Sequence, residues 1–353
     1  MDRSSSDFPP NFSRTISVDS IKQQLLNDQQ VMIADTPFLV RRPRIERGST
    51  AGRYVKCELG DRSGWLEAVW WDALKMPKVD LDSLLTNEVW SVTGLASINH
   101  YGGKKIPQVK IERARSIPCE DPTTIPGLVR RSASSEVELS DWLSGCLALV
   151  KNAPLRRLLE ETIGESGPWH KTFLRVPAAL YYHHAYVGGL VDHVREMASV
   201  WLSSQQVYPS ADSALTLSGI LLHDVGKLDI YGFGVAPQLA PTGRYMDHIS
   251  TGIARLSLAI DSIPGFPHLL KDQLLHIVAS HHGDKEFGSP VTPATREAIV
   301  VHHLDRMSSL LSHLEEWTLQ SGVDQFGWTI DASPWLKTNL AGSHQIPNQL
   351  EEI

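Results

Sequence analysis

The sequence predicts a multidomain protein of mixed α and β class, with an N-terminal five-stranded β-barrel followed by an all-α domain. Three observations predict it. Residues 28–117 hold five runs rich in Val, Ile, Trp and Tyr, separated by turn-forming clusters. After residue 137 the apolar residues recur with a helical period instead of alternating. Between the two lies a stretch bearing prolines and serines, IPCEDPTTIPGLVRRSASSEVE, with no core pattern. A length of 353 residues accommodates two such domains.

Taken in order, residues 1–27 begin with a Ser-, Asp- and Pro-rich segment and are expected to form a disordered tail. The runs QVMIADTPFLV, GRYVKCELGD, GWLEAVWWD, EVWSVTGLASINHY and IPQVKIERARSI are the five strands of a domain over 28–117. RGSTAG, DRSG and YGGKK are turn signals between them, and KVDLDSLL is a short helical or irregular piece between the third and fourth runs. Five strands in so short a segment suit an OB-fold barrel. Residues 118–137 form the linker, in which IPGL is placed to dock locally. VELSDWLSGCLALV, APLRRLLEETIG, YVGGLVDHVREMASVWLSSQ, SALTLSGILLHDVGK, HISTGIARLSLAI, FPHLLKDQLLHIVASHH and PATREAIVVHHLDRMSSLLSHLEEW are the helices of a domain over 138–320. Residues 321–353 form a C-terminal extension; Phe326, Trp328 and Trp335 are expected to fold back on the helices.

The composition excludes several classes. Apolar residues make up 42% and charged residues 21%, too apolar for a mostly disordered chain. Cys57, Cys119 and Cys146 are widely spaced, which rules out a disulfide scaffold or cysteine zinc finger and fits a reducing compartment. No apolar run approaches the ~20 residues that span a bilayer, and the first residues lack a signal peptide's apolar stretch. The expectation is a cytoplasmic protein without membrane association. The net charge of −7 argues against a chain coated in basic charge, yet residues 30–117 carry 14 Lys and Arg against 10 Asp and Glu. A basic segment joined to an acidic one suggests two tasks.

The most informative pattern is the series His193, His223-Asp224, His248, His281-His282 and Asp305, spaced 30, 24, 33 and 23 residues apart on different predicted helices. A lone helical histidine is commonly a surface or hydrogen-bonded residue, and His302-His303 is read as structural. The combination is different. HDVGK ends the apolar helix LSGILL, and ASHHGD ends LLHIVA. Ionisable groups at buried helix ends are costly unless paired or bound to metal. Imidazoles with carboxylates suit Mn, Fe, Ni or Zn, and magnesium less well.

HHAYVGGLVDHV, LLHDVGKLDIYG, DHISTG and SHHGDKEFGSPVTPATREAIVVHHLDRM resemble the HD-domain metallophosphohydrolases, and among them the YhaM-type bacterial 3′–5′ exoribonucleases. DRSGWLEAVWWDA is similar to the OB segment of that branch, and the resemblance covers roughly residues 28–315. It implies an all-helical HD domain that hydrolyses phosphoesters. It further implies that His193, His223, Asp224 and Asp305 are the basic ligand set. His248, His281 and His282 match the extra histidines of two-metal enzymes, with Asp224 bridging. The implied cofactor is two divalent metal ions, manganese first, with Fe, Ni, Zn and Mg as alternatives. Two such ions can generate hydroxide at neutral pH and stabilise the attacking and leaving oxygens of a phosphodiester.

Asp224 and Lys227 are therefore the candidate catalytic pair, Lys227 reaching a phosphate oxygen or the leaving group. A helix C-terminal lysine that favours the dipole is the plainer reading. On one continuous helix His184 lies half a turn out of phase with His193, so His183 and His184 are left out of the metal set and His184 is kept as a substrate candidate. Lys285 and Ser289, in the loop after the histidine pair, are further candidates for substrate phosphate. In the OB segment Arg41, Arg42, Arg44, Arg47, Arg53 and Lys56 interleave with Tyr54, Trp65, Trp70, Trp71 and Tyr101. Single-strand binders combine basic grooves with aromatic platforms; Arg42, Arg44, Tyr54 and Trp70 are the residues singled out, although one of Trp70 and Trp71 must face the core. The first reading is a metal-dependent 3′–5′ exoribonuclease acting on single-stranded RNA, with single-stranded DNA as a further substrate. The alternatives are a phosphohydrolase of nucleotides or cyclic dinucleotides, and a nucleic-acid-binding or relaxase-like protein. The sequence leaves oligomeric state open, a homo-oligomer included.

Overall fold

The computed structural model describes residues 16–27, 29–47, 52–86, 88–101, 104–119, 125, 127–181, 183–233, 237–321, 328–329, 332–333 and 335–340. The chain divides into two compact units that part between Arg131 and Ser132.

The first unit comprises α1 (Val18–Leu26), β1 (Val31–Arg47), β2 (Arg53–Asp61), β3 (Gly64–Trp70), α2 (Lys78–Thr86), β4 (Val89–Tyr101) and β5 (Lys104–Ser116). The strands close into a barrel in the order β1-β2-β3-β5-β4, with β1 pairing back to β4. Only the β3–β5 pairing is parallel. Alternation dictates the core: Val55, Cys57 and Leu59 of β2 are buried, whereas Tyr54, Lys56 and Glu58 between them are not. Burial pushes the Cys57 thiol up to about 12, so it behaves as an apolar residue. The long strand β1 bends at two register shifts, one at Asp35 and one at Arg42-Pro43, where Pro43 has no N–H to give to the ladder. From α2, Leu81 and Leu84 are buried against the barrel, and Trp90 donates its indole N–H to the Leu84 carbonyl at 3.0 Å.

One expectation needs correction. The disordered tail through residue 27 fails from residue 18 onward, because α1 docks on the barrel. Ser17 caps it by accepting from the Ser20 N–H, and Val18, Ile21 and Leu25 are buried. Asp61, at the β2–β3 turn, accepts from the Val18 N–H at 2.6 Å. Within the linker over 118–137, Leu128 of IPGL docks locally, buried with Leu39 and Val89, and α3 starts at Glu136. The helical unit also carries one short two-stranded hairpin.

That second unit comprises α3 (Glu136–Leu149), α4 (Ala153–Thr162), α5 (His170–Phe173), α6 (Gly189–Ser204), α7 (Ser213–Leu222), α8 (Lys227–Ile230), the hairpin β6 (Tyr231–Phe233) and β7 (Pro237–Leu239), α9 (His248–Asp261), α10 (His268–Ser280) and α11 (Arg296–Ser321). Side-chain caps set several starts: a Ser135/Glu138 capping box for α3, Asn152 for α4, Asp212 for α7 and Asp247 for α9. The helix α7 is apolar on all sides and buried from Leu215 to Leu222, as a central helix must be. It packs against α4, α6, α10 and α11. The described part of the C-terminal extension lies on this unit: Trp335 stacks on His183 with centroids 6.3 Å apart, and Ser333 meets His313 Nε2 at 2.7 Å. Phe326, the first fifteen residues, and residues 48–51 and 102–103 of the RGSTAG and YGGKK turn signals lie outside the described residues.

The substitution Ile21→Ala removes a fully buried side chain from α1 and is expected to cost about 2–5 kcal/mol. Urea unfolding of the full chain measures it; a change below about 0.5 kcal/mol would show that α1 does not belong to the barrel's core.

Candidate metal centre

The site is assembled from helix ends. The last carbonyls of a helix have no intrahelical donor, and a histidine at the C-cap can supply one. His223 caps α7 and its Nδ1 lies 2.9 Å from the Ile220 carbonyl. His281 caps α10 and its Nδ1 lies 2.8 Å from the Val278 carbonyl. His282 Nδ1 meets the Phe287 carbonyl at 2.9 Å, so the GDKEFG loop holds that ring. In each ring the Nδ1–H donates, and Nε2 is left as a lone pair. His248 opens α9 behind the Asp247 cap. At Gly226 a β-carbon would lie 1.9 Å from the His248 carbonyl, so the HDVGK turn can meet the start of α9 only with glycine there.

Asp224 lies among these rings and is 2% exposed. Its Oδ2 is 3.2 Å from His223 Nε2 and 3.9 Å from His193 Nε2. Its Oδ1 is 3.5 Å from both His248 Nε2 and His281 Nε2. Asp305 Oδ1 stands 3.2 Å from His193 Nε2, and His248 and His282 face each other, Nε2 to Nε2, at 3.2 Å. Two ligand groups result, His193-His223-Asp305 and His248-His281-His282, each able to hold a metal ion, with one oxygen of Asp224 turned toward each. All seven residues expected from the sequence are thus brought together.

The electrostatics suit a cation. Burial holds His248 well below the usual imidazole range and His193 and His282 at about 4, so these rings are neutral, as ligands must be. Burial opposes the charge on Asp224, but Lys227 and His223 outweigh it and hold the carboxyl well below its usual range. Burial likewise pulls His223 down, and the Asp224 carboxylate more than restores it. Four buried atoms, His193 Nε2, His223 Nε2, His281 Nε2 and Asp224 Oδ1, have no hydrogen-bond partner. Unsatisfied atoms of this kind cost 1–3 kcal/mol or more each; converging on one space, they are donors shaped for a divalent ion, and the residues present fit it.

The remaining candidates divide. Lys227 is buried with its ammonium on Asp224 Oδ2. His302 donates its Nδ1–H to the His281 carbonyl, 2.8 Å away, which is a structural position. The exclusion of His183 and His184 rested on a helix running through residue 184, and α6 instead begins at Gly189 behind Gly188 in the left-handed region. Both histidines lie in the preceding loop and form a third group with His193. Ser289 is buried with an unpartnered hydroxyl, whereas Lys285 sits in a single 3-10 turn at the surface.

On the barrel the choice of Trp70 is corrected. It is 4% exposed and packs edge-on against Trp90, whereas Trp71 is 46% exposed and lies 4.4 Å from the Tyr54 ring. Arg42 and Arg44 are exposed but paired, with Glu58 at 3.2 Å and Glu46 at 2.6 Å, and Tyr54 also donates to Glu46. Glu46 and Glu58 are in the charge count of the segment; their pairing with these arginines is not visible in it. The side chain of Tyr101 lies outside the described residues.

Comparison with known proteins agrees with this geometry. The HD domain family matches residues 190–310, which span α6 to α11. The 3′–5′ exoribonuclease YhaM of Listeria monocytogenes is 28% identical over 282 residues, 79% of this chain and 86% of the relative. YhaM of Bacillus subtilis is 27% identical over 265 residues, 74% of this chain and 80% of the relative. YhaM of Oceanobacillus iheyensis is 30% identical over 272 residues, 76% of this chain and 82% of the relative. At that identity and coverage, the chain belongs to the YhaM family of 3′–5′ exoribonucleases.

Proposed function

We propose that this chain removes nucleotides from the 3′ end of single-stranded RNA, and of single-stranded DNA, by metal-dependent hydrolysis in the cytoplasm. The observation that carries the reading is the buried Asp224 carboxylate with an unpartnered ligand group on each oxygen. The relatives' name supports the polarity and the RNA substrate. Among the described residues no helix is long and apolar enough to cross a membrane.

In this reading His193, His223 and Asp305 would hold one divalent ion and His248, His281 and His282 a second, with Asp224 serving both. Manganese is the first candidate. When bound, such ions supply Lewis-acid stabilisation of phosphate oxygens and a water nucleophile at neutral pH. The protein's own groups do the rest. Lys227 keeps Asp224 ionised and adds positive charge where the phosphate must sit. His184, Ser289 and Lys285 border the same region in sequence and are assigned to the substrate. On the barrel, Trp71 takes the part expected of Trp70 and stacks a base beside Tyr54, while Arg42 and Arg44 exchange their glutamate partners for phosphates.

The direct test is hydrolysis of end-labelled single-stranded RNA. A 3′ label is expected to leave at once as mononucleotide, and a 5′ label to remain on a shortening ladder; mononucleotide release from the 5′ end would defeat the polarity. Asp224→Asn is expected to lose at least about 10²–10³-fold in rate with its circular dichroism unchanged; a folded variant of full activity would remove Asp224 from the chemistry. Elemental analysis should find two metals per chain, and His248→Ala should lose one of them; a fully active preparation with a single metal would refute the paired site. Trp71→Ala should weaken binding of single-stranded RNA by about 1–3 kcal/mol and leave hydrolysis of a small phosphodiester unchanged. Equal losses on both substrates would mean that Trp71 supports the fold instead.

A further inference from the structure

The ring of His193 is held differently from the other ligands. His223, His281 and His282 donate Nδ1–H to backbone carbonyls at helix ends or in a loop. His193 lies inside α6, where the carbonyls around it serve the helix. Its Nδ1 instead meets the Ser308 hydroxyl of α11 at 2.9 Å. Ser308 in turn donates to Glu196 Oε2 at 2.5 Å. An ionised carboxylate only accepts, so the serine hydrogen is committed to Glu196 and its oxygen is left to accept. The proton of His193 must therefore sit on Nδ1, which leaves Nε2 as the lone pair facing Asp305. The other oxygen of Glu196 takes His184 Nε2 at 3.0 Å, leaving His184 Nδ1 buried and without a partner. One carboxylate thus fixes the tautomers of two imidazoles on the same side of the centre. Its own side chain is 51% exposed, in the groove between α6 and α11.

We propose that Glu196 and Ser308 are positioning residues of the metal centre, setting through the relay His193–Ser308–Glu196 the tautomer with which His193 binds the ion. The inference rests on the metal-centre reading above. Partners of this kind behind a metal-bound imidazole typically alter metal affinity by 10–100-fold.

Manganese titration of the full chain against a competing chelating dye tests it, with circular dichroism of the metal-free protein to check folding. Ser308→Ala is expected to weaken manganese binding at the affected ion by about 10–100-fold, and Ser308→Thr, which keeps the hydroxyl, to restore it. Glu196→Gln, at a half-exposed position that tolerates an amide, should also weaken binding, since an amide offers only one oxygen for the two donors. Glu315→Gln, in the same groove without a bond to the relay, should change nothing. Should Ser308→Ala fail to fold, Glu196→Gln and Ser308→Thr decide the matter. Folded Ser308→Ala or Glu196→Gln with wild-type affinity overturns the relay while leaving the metal centre intact. Wild-type protein that binds no manganese, zinc or iron overturns the metal-centre reading itself.

Discussion

A carboxylate buried in a helical unit costs several kcal/mol unless other charges compensate it, and Asp224 is such a carboxylate. The arrangement of the helical unit follows from meeting that cost. Lys227, one turn further along, brings an ammonium to Oδ2, and four imidazoles stand within 4 Å of the two oxygens. Those imidazoles come from α6, the end of α7, the start of α9 and the end of α10. The crossings of these helices are therefore tied to one charge. The glycine at 226 belongs to the same requirement, because the turn that carries Asp224 must touch the first residue of α9.

Helix ends supply the second half of the device. A helix that stops in the interior leaves carbonyls to satisfy. At α7 and α10 a histidine satisfies one of them with Nδ1–H and thereby aims Nε2 at the centre. The same bond that terminates the helix selects the ligand tautomer. Burial keeps His193, His248 and His282 neutral, so no imidazolium charge opposes a cation there. Local structure, helix termination and ligand chemistry are thus one set of interactions.

Much of this was legible in the sequence. The five strands and α2 appear where alternation and turn residues placed them, because a half-buried strand writes its period directly into the chain. The seven residues of the candidate centre were legible because two of their motifs end apolar helices with ionisable groups, a costly combination. The helix α1 was not legible: nine residues are too few to be helical alone, and what stabilises them is docking of Val18, Ile21 and Leu25 on a barrel distant in sequence. Trp70 and Trp71 are adjacent and chemically alike, so only the phase of β3 tells them apart. The argument against His184 failed on a helix start, which Gly188 fixes through a left-handed backbone. The relay behind His193 joins residues 112 and 115 positions apart and leaves no local signal.

The central claim is that the space around Asp224 is a divalent-metal site. Anomalous diffraction from crystals grown with manganese, recorded on both sides of the metal's absorption edge, measures it most directly. The account predicts two peaks flanking Asp224, at about 2.0–2.3 Å from the facing Nε2 atoms and carboxylate oxygens. A single peak away from Asp224, or none beside protein shown to be active with manganese, would contradict it.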